Sequence, residues 1–160
     1  MAKISILMGS QSDLETVSEA VNVLKEFKAD FEVRVLSAHR TPKEMARYVE
    51  QAPKSGTRVF IAAAGMSAAL AGVVASHTTL PVIGIPIETR NLKGLDSLLS
   101  TVQMPPGIPV ACMAIGKSGA KNAALFALEI LALSDTKITA KLVNYKKQMC
   151  LKIKGIKIKL

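Results

Sequence analysis

Phe31-Glu32-Val33-Arg34-Val35-Leu36-Ser37-Ala38-His39-Arg40-Thr41-Pro42 is the stretch from which the fold is read. Phe31 to Leu36 is an apolar alternating run, the period of a β-strand. A helix start follows it. Thr41 is a capping residue type, Pro42 suits the first helical position, and Glu44 stands three residues after Thr41, the spacing of a capping box. His39 and Arg40 therefore fall at the carboxyl end of a strand, just before a helix. In an open parallel α/β sheet that edge is where ligands bind. An imidazole beside a guanidinium at such an edge points to proton transfer on an anionic substrate. The other reading of His39 is an exposed residue of a helix N-terminus.

Working outward, the same alternation of strand and helix covers the chain. Ile4-Ser5-Ile6-Leu7-Met8 reads as a buried first strand. Gly9-Ser10-Gln11-Ser12-Asp13 follows, and then Leu14, Val17, Val21 and Leu24 recur on a helical face. Ser12 and Glu15 have capping-box spacing. A strand-to-helix turn of this kind offers free N–H groups and small hydroxyls to a phosphate, or Ser12 merely caps a helix. After the His39 turn, Met45, Tyr48, Val49 and Ala52 form the inner face of a second helix ending near Gly56.

Val59-Phe60-Ile61-Ala62-Ala63 is a third strand. It enters the small-residue run Ala64-Gly65-Met66-Ser67-Ala68-Ala69-Leu70-Ala71-Gly72. Small side chains admit a ligand close to the backbone, or allow tight helix packing. Leu80 to Pro86 is a fourth strand bracketed by prolines, Gly94 to Ser100 a short helix, and Gln103 to Gly107 a turn. Ile108 to Ala114 is a fifth strand, Ala120 to Leu133 a helix, and a last helix runs from Asp135 toward Tyr145 or beyond. The expected fold is an α/β three-layer sandwich on a mostly parallel sheet, flavodoxin- or Rossmann-like. The catalytic α/β domain is placed at 1–135. A C-terminal helix and Lys-rich tail at 136–160 either belong to that domain or pack on a neighbouring subunit.

Composition narrows the class. With 49% hydrophobic residues, 4% aromatic and no Trp, the core is aliphatic, which suits helices packed on a parallel sheet. The net charge of +9 is concentrated at one end. Seven lysines and no acid lie from Lys141 onward; removing those seven from the 21 basic residues leaves 14 against 12 acidic ones. Leu151 to Leu160 alternates apolar residues with Lys, a strand period. No aromatic is interleaved for base stacking, so a nucleic-acid partner is not expected. Two cysteines without ligand-spaced neighbours, Cys112 and Cys150, are read as reduced, unligated thiols. No signal peptide and no membrane span is read, and the chain is assigned to the cytoplasm. His77, near a helix end, is read as a surface residue.

Five motifs in order resemble the bacterial N5-carboxyaminoimidazole ribonucleotide mutase family over roughly residues 3–135. They are Met8 to Asp13; Ser37 to Pro42; Pro81 to Pro86; Gly94 to Pro105; and Ala114-Ile115-Gly116 with Asn122-Ala123-Ala124. The resemblance implies an α/β subunit in a homo-octamer, with sites where subunits meet. It implies rearrangement of N5-carboxyaminoimidazole ribonucleotide to 4-carboxy-5-aminoimidazole ribonucleotide without metal or organic cofactor. His39 matches the family's catalytic histidine. Gly9, Ser10, Ser12 and Asp13 match its turn for the ribose phosphate end, which Ser37 and Arg40 complete. The backbone at Ala64 and Gly65 matches the turn that faces the carboxylate or CO2. An Asp beside a phosphate would repel it, so Asp13 is read as accepting from ribose hydroxyls.

Three features depart from the family pattern. Ala69 stands where the family carries a histidine, Leu14 where it carries a Trp, and the Lys-rich tail is additional. Two other functions stay open: a related carboxylase acting on aminoimidazole ribonucleotide with free CO2, and a non-catalytic nucleotide-binding paralogue. The run Gly94 to Ser100 with Gln103-Met104-Pro105 favours the mutase over the carboxylase.

Overall fold

In the computed structural model, which describes residues 3–158, five parallel strands form one sheet in the order β2-β1-β3-β4-β5. The strands are β1 (Ile4–Met8), β2 (Phe31–Val35), β3 (Val59–Ala64), β4 (Val82–Pro86) and β5 (Ala111–Cys112). The helices are α1 (Leu14–Glu26), α2 (Pro42–Gln51), α3 (Leu70–Ser76), α4 (Leu95–Val102), α5 (Gly116–Ala132) and α6 (Thr136–Lys154). The expected α/β parallel architecture is the one observed.

The chain makes these elements for simple reasons. β1, β3 and β4 are almost wholly buried and almost wholly apolar, as central strands covered on both faces must be. Leu7, Phe60, Ala62 and Val82 meet Met45 and Val49 of α2 and Leu70, Ala71 and Val74 of α3 in one cluster. The alternate residues, among them Ile4, Ile6, Ile61 and Ile83, are fully buried on the opposite face. Gly84 allows a close approach: a Cβ there would collide with Thr101 Cγ2, so glycine at this position lets α4 seat on β4.

Topology places the site. β1 leads to β2 on one side, and β3 leads to β4 and β5 on the other, so the strand order reverses between β1 and β3. Ligands bind at such a switch point, outside the carboxyl ends of the strands. The loops after β1, β2 and β3 all reach that edge.

Several local expectations are corrected. Thr41 is the residue before α2, but its side chain makes no capping bond, and no box with Glu44 forms. The capping box near the first turn joins Ser10 and Asp13, not Ser12 and Glu15. The fifth strand shrinks to two paired residues, Ala111 and Cys112, against Ile83 and Gly84. It is an edge strand, and Pro109 has no N–H for a ladder.

The first part of the tail is helical where a strand period was read, since α6 continues through Lys154, and residues 155–158 form neither helix nor strand. Asp135 caps α6 at the Lys137 and Ile138 N–H groups, and no Gly or Pro interrupts it before Gly155. Four alternating residues without a strand to pair with do not outweigh a helix already propagating. Lys159 and Leu160 of that expected strand lie outside the described residues.

Two compact units are distinguished, one through Ala127 and one from Leu128 onward. Within the second, Lys146 and Glu129 pair at 3.0 Å.

Candidate active site

The turn after β1 is closed on itself. Ser10 is extended, and its Oγ accepts from the Ser12 N–H at 3.3 Å and from the Ser12 hydroxyl at 2.9 Å. Asp13 Oδ2 accepts from the Ser10 N–H at 3.1 Å, and Oδ1 lies 3.4 Å from the Ser12 hydroxyl. Asp13 is largely buried while Ser12 is exposed. Burial pushes the Asp13 carboxyl above its usual range, against the pull of these hydrogen bonds and of the Arg40 charge.

The turn after β2 is tied in three places. The Ser37 carbonyl accepts from the Thr41 N–H at 3.0 Å and from the Thr41 hydroxyl at 3.1 Å. Thr41 Oγ1 also accepts from the Ser37 N–H at 2.9 Å. Ser37 Oγ accepts from the Arg40 backbone N–H at 3.2 Å and from Arg40 Nε at 3.4 Å. Arg40 Nη2 then donates to the Gly9 carbonyl at 2.6 Å, across to the first turn. His39 stands exposed at the tip, and its ring makes no hydrogen bond among the described residues.

The turn after β3 adjoins the first turn through the Gly9 N–H, which donates to the Ala63 carbonyl at 3.2 Å. The Ala64 carbonyl is held by the Ile87 N–H at 2.9 Å. Gly65 packs near Ile87 and Thr89. Met66, exposed beside it, takes a left-handed backbone at φ 59, and Ala69 is half-buried just before α3.

The structure thus joins Gly9, Ser10, Ser12, Asp13, Ser37 and Arg40 in one hydrogen-bonded set, and puts Ala64 and Gly65 on the neighbouring strand end. His39 shares the turn of Ser37 and Arg40. Two features escaped the sequence reading. One is the turn of Thr41 toward Ser37, which competes with the capping role its position advertises. The other is Thr89, whose hydroxyl donates to Asp96 at 2.8 Å and accepts from the Gly94 N–H at 3.3 Å, fixing the loop after β4. Spacing could have raised Asp96 as an acceptor in the first turn of α4, but nothing local links it to Thr89.

A groove of about 620 Å³ lies away from this edge, lined by Glu50, His77, Thr79, Leu80 and Ile108 among others. Leu80 precedes β4, which puts the groove at the amino ends of the strands, far in the fold from the switch point. His77 is half-exposed there and pairs with Glu50 at 2.9 Å, so it is a surface residue with a partner.

Comparison with known proteins identifies the family. The family model described as AIR carboxylase matches residues 3–152. An N5-carboxyaminoimidazole ribonucleotide mutase of Saccharolobus solfataricus is 53% identical over 93% of this chain and 93% of its own length. One of Methanocaldococcus jannaschii is 55% identical over 94% of this chain and 92% of its own. The crystal structure of Treponema denticola PurE superposes with a TM-score of 0.86 at 30% identity, covering 94% of this chain and 92% of that one. With a matching model over nearly its whole length and relatives above half identity, the chain belongs to the AIR carboxylase family.

Proposed function

We propose that this protein is an N5-carboxyaminoimidazole ribonucleotide mutase, forming 4-carboxy-5-aminoimidazole ribonucleotide in purine biosynthesis. The observation that carries the reading is the Arg40–Gly9 hydrogen bond of 2.6 Å, which fastens the His39 turn to the Gly9–Asp13 turn. One substrate then reaches a phosphate seat and a titratable imidazole together.

Arg40 has five N–H groups and spends Nε and one proton of Nη2 on the turns. Three remain for phosphate oxygens, a charge-assisted grip. Ser10, Ser12 and Ser37 add hydroxyls, and Asp13 accepts from ribose hydroxyls. His39 donates a proton to the carbamate nitrogen as its bond to CO2 breaks. The aminoimidazole left behind is nucleophilic at carbon 4. CO2 held against the Ala64–Gly65 backbone is attacked by that carbon, and His39, now a base, takes the carbon 4 proton. One group near neutral pKa serves both steps. Retaining CO2 is a matter of proximity in a small enclosed space.

The pair of the broken N–C bond ends in the new N–H bond, the enamine electrons of the aminoimidazole make the bond from carbon 4 to CO2, and loss of the carbon 4 proton to His39 restores the ring; no net oxidation or reduction occurs, so the reaction calls for no metal or organic cofactor. The active assembly is a homo-octamer working in the cytoplasm. Residues 1–135 form its catalytic part, and 136–160 a C-terminal helix and tail. Among the described residues, no helix is long and apolar enough to cross a membrane.

The test is turnover of purified protein on N5-carboxyaminoimidazole ribonucleotide without added bicarbonate, beside His39→Asn. Product is expected from the wild type and not from the variant. Product only from aminoimidazole ribonucleotide with CO2 would assign the carboxylase reaction instead. Silence with both substrates would overturn the enzymatic reading and turn attention to Ala69.

A further inference from the structure

We infer that Thr41 is a positioning residue whose hydroxyl, by satisfying both backbone groups of Ser37, sets the Ser37–Arg40 pair to grip the substrate's phosphate. The inference rests on the mutase reading for the identity of that phosphate, and on geometry for the rest.

Thr41 occupies the position from which Ser, Thr, Asp or Asn ordinarily caps a helix, and it does not cap. Its single oxygen instead accepts from the Ser37 N–H at 2.9 Å and donates to the Ser37 carbonyl at 3.1 Å. Only a hydroxyl can do both from one atom. Ser37 is half-buried, so its N–H needs a partner, and Thr41 supplies one.

The Ser37 side chain is thereby left for Arg40. Its Oγ accepts from the Arg40 N–H at 3.2 Å and from Nε at 3.4 Å. An oxygen that accepts twice from one residue keeps its own proton for a third partner. At this strand end that proton and the remaining guanidinium N–H groups suit an anion. Four residues form a relay: Thr41 fixes Ser37, Ser37 orients Arg40, and Arg40 reaches the Gly9 carbonyl. A local preference for capping is given up at a functional site, which is where such rules are expected to break.

The relay predicts how a variant fails. Thr41→Val keeps the shape and β-branching but removes both side-chain bonds. It removes no helix cap, because none exists, and the Thr41 N–H to Ser37 carbonyl bond of 3.0 Å survives. Folding should persist while the phosphate grip loosens. Loss of a grip shared by ground and transition states raises KM more than it lowers kcat.

The experiment measures ribose 5-phosphate binding by calorimetry, and kcat and KM on N5-carboxyaminoimidazole ribonucleotide, for wild type, Thr41→Val, Thr41→Ala and Thr41→Ser. Circular dichroism reports folding. The expected result is binding weakened on the order of tenfold in the Val and Ala variants. KM should rise to match, and the Ser variant should fall within about twofold of wild type. The Ala and Ser variants differ only by the hydroxyl, so they decide the matter even if Val disturbs packing.

Val and Ala variants that bind like wild type would overturn the inference. So would a Ser variant as weak as Ala, or a loss confined to kcat. If the wild type binds ribose 5-phosphate but does not turn over, the mutase reading fails alone, and the binding series still judges Thr41. If the wild type neither binds nor turns over, both fall.

Discussion

Asp13 is held inside its turn at a cost that the pH dependence of stability should expose. Its carboxyl titrates above the ordinary aspartate value of 3.8 because burial outweighs the hydrogen bonds from Ser10, Ser12 and Gly9 and the charge of Arg40. A raised carboxyl pKa means that the folded state prefers the neutral form. The stability it contributes is fully present below pH 3.8 and is lost as pH rises through the higher folded value. Asp13→Asn removes that penalty and keeps an oxygen for the Ser10 N–H. At pH 7 the variant should melt higher than wild type, on the order of 2 °C. The advantage should vanish below pH 3.8, while activity falls at neutral pH. Thermal melts across pH decide it; a variant less stable at pH 7 would show that the charge supports the turn. Met66 shows strain of another kind at the neighbouring strand end: a left-handed φ of 59 on a Met costs about 1–2 kcal/mol.

At the scale of elements, β2 and α2 are coupled by a buried-to-exposed network. The Ser5 hydroxyl donates to Tyr48 Oη, whose own proton goes to Glu32 Oε1 at 2.7 Å. Arg34 completes it, donating to Glu32 Oε2 at 2.8 Å and lying 4.6 Å above the Tyr48 ring. Burial pushes the Tyr48 phenol up to about 12, so it remains a donor at neutral pH. Burial also acts to raise Glu32, but hydrogen bonds from Tyr48 and Arg34, with the Arg34 charge, prevail and lower it below 4.5. Stability from Glu32 is therefore present above pH 4.5 and lost as pH falls through its folded value. Tyr48→Phe strands the Ser5 hydroxyl in the core and should cost about 1–3 kcal/mol at pH 7. The difference from wild type should narrow below pH 4.5, as both proteins lose what Glu32 supplies. An undiminished gap in acid melts would place the effect in packing alone.

What the sequence showed divides along the same line. Strand periods, the order of elements and the site turns were legible because each rests on residues close in sequence. The ties of Ser5 to Tyr48 and of Arg40 to Gly9 were not, because they join residues 43 and 31 positions apart. The tail was misread because alternation over a few residues fits two periods until a neighbour is known.

For the whole molecule, α4 is turned inside out. Its buried residues are polar: the Ser97 hydroxyl donates to the Ile87 carbonyl and Thr101 to the Ser97 carbonyl, both at 2.8 Å. Its outward residues are Leu95, Leu99 and Val102, each about half exposed, with Leu92 exposed just before the helix. One-turn spacing makes them a continuous apolar stripe, the opposite of what a solvent-facing helix carries. Burying the exposed half of such side chains contributes about 1 kcal/mol each, and a symmetric assembly collects that sum at every repeat of the contact. We predict that this stripe is buried between subunits of the proposed octamer, and a charge at its centre tests it. Eight chains of 17.0 kDa make a particle of 8 × 17.0, about 136 kDa, for the wild type in sedimentation velocity. Leu99→Glu should break it into smaller species that keep native circular dichroism, since Leu99 is half exposed and lies outside the buried core of its own chain. Turnover should fall with assembly if the sites form where subunits meet. A Leu99→Glu protein that still sediments near 136 kDa would remove α4 from the interface, and the stripe would then need another partner.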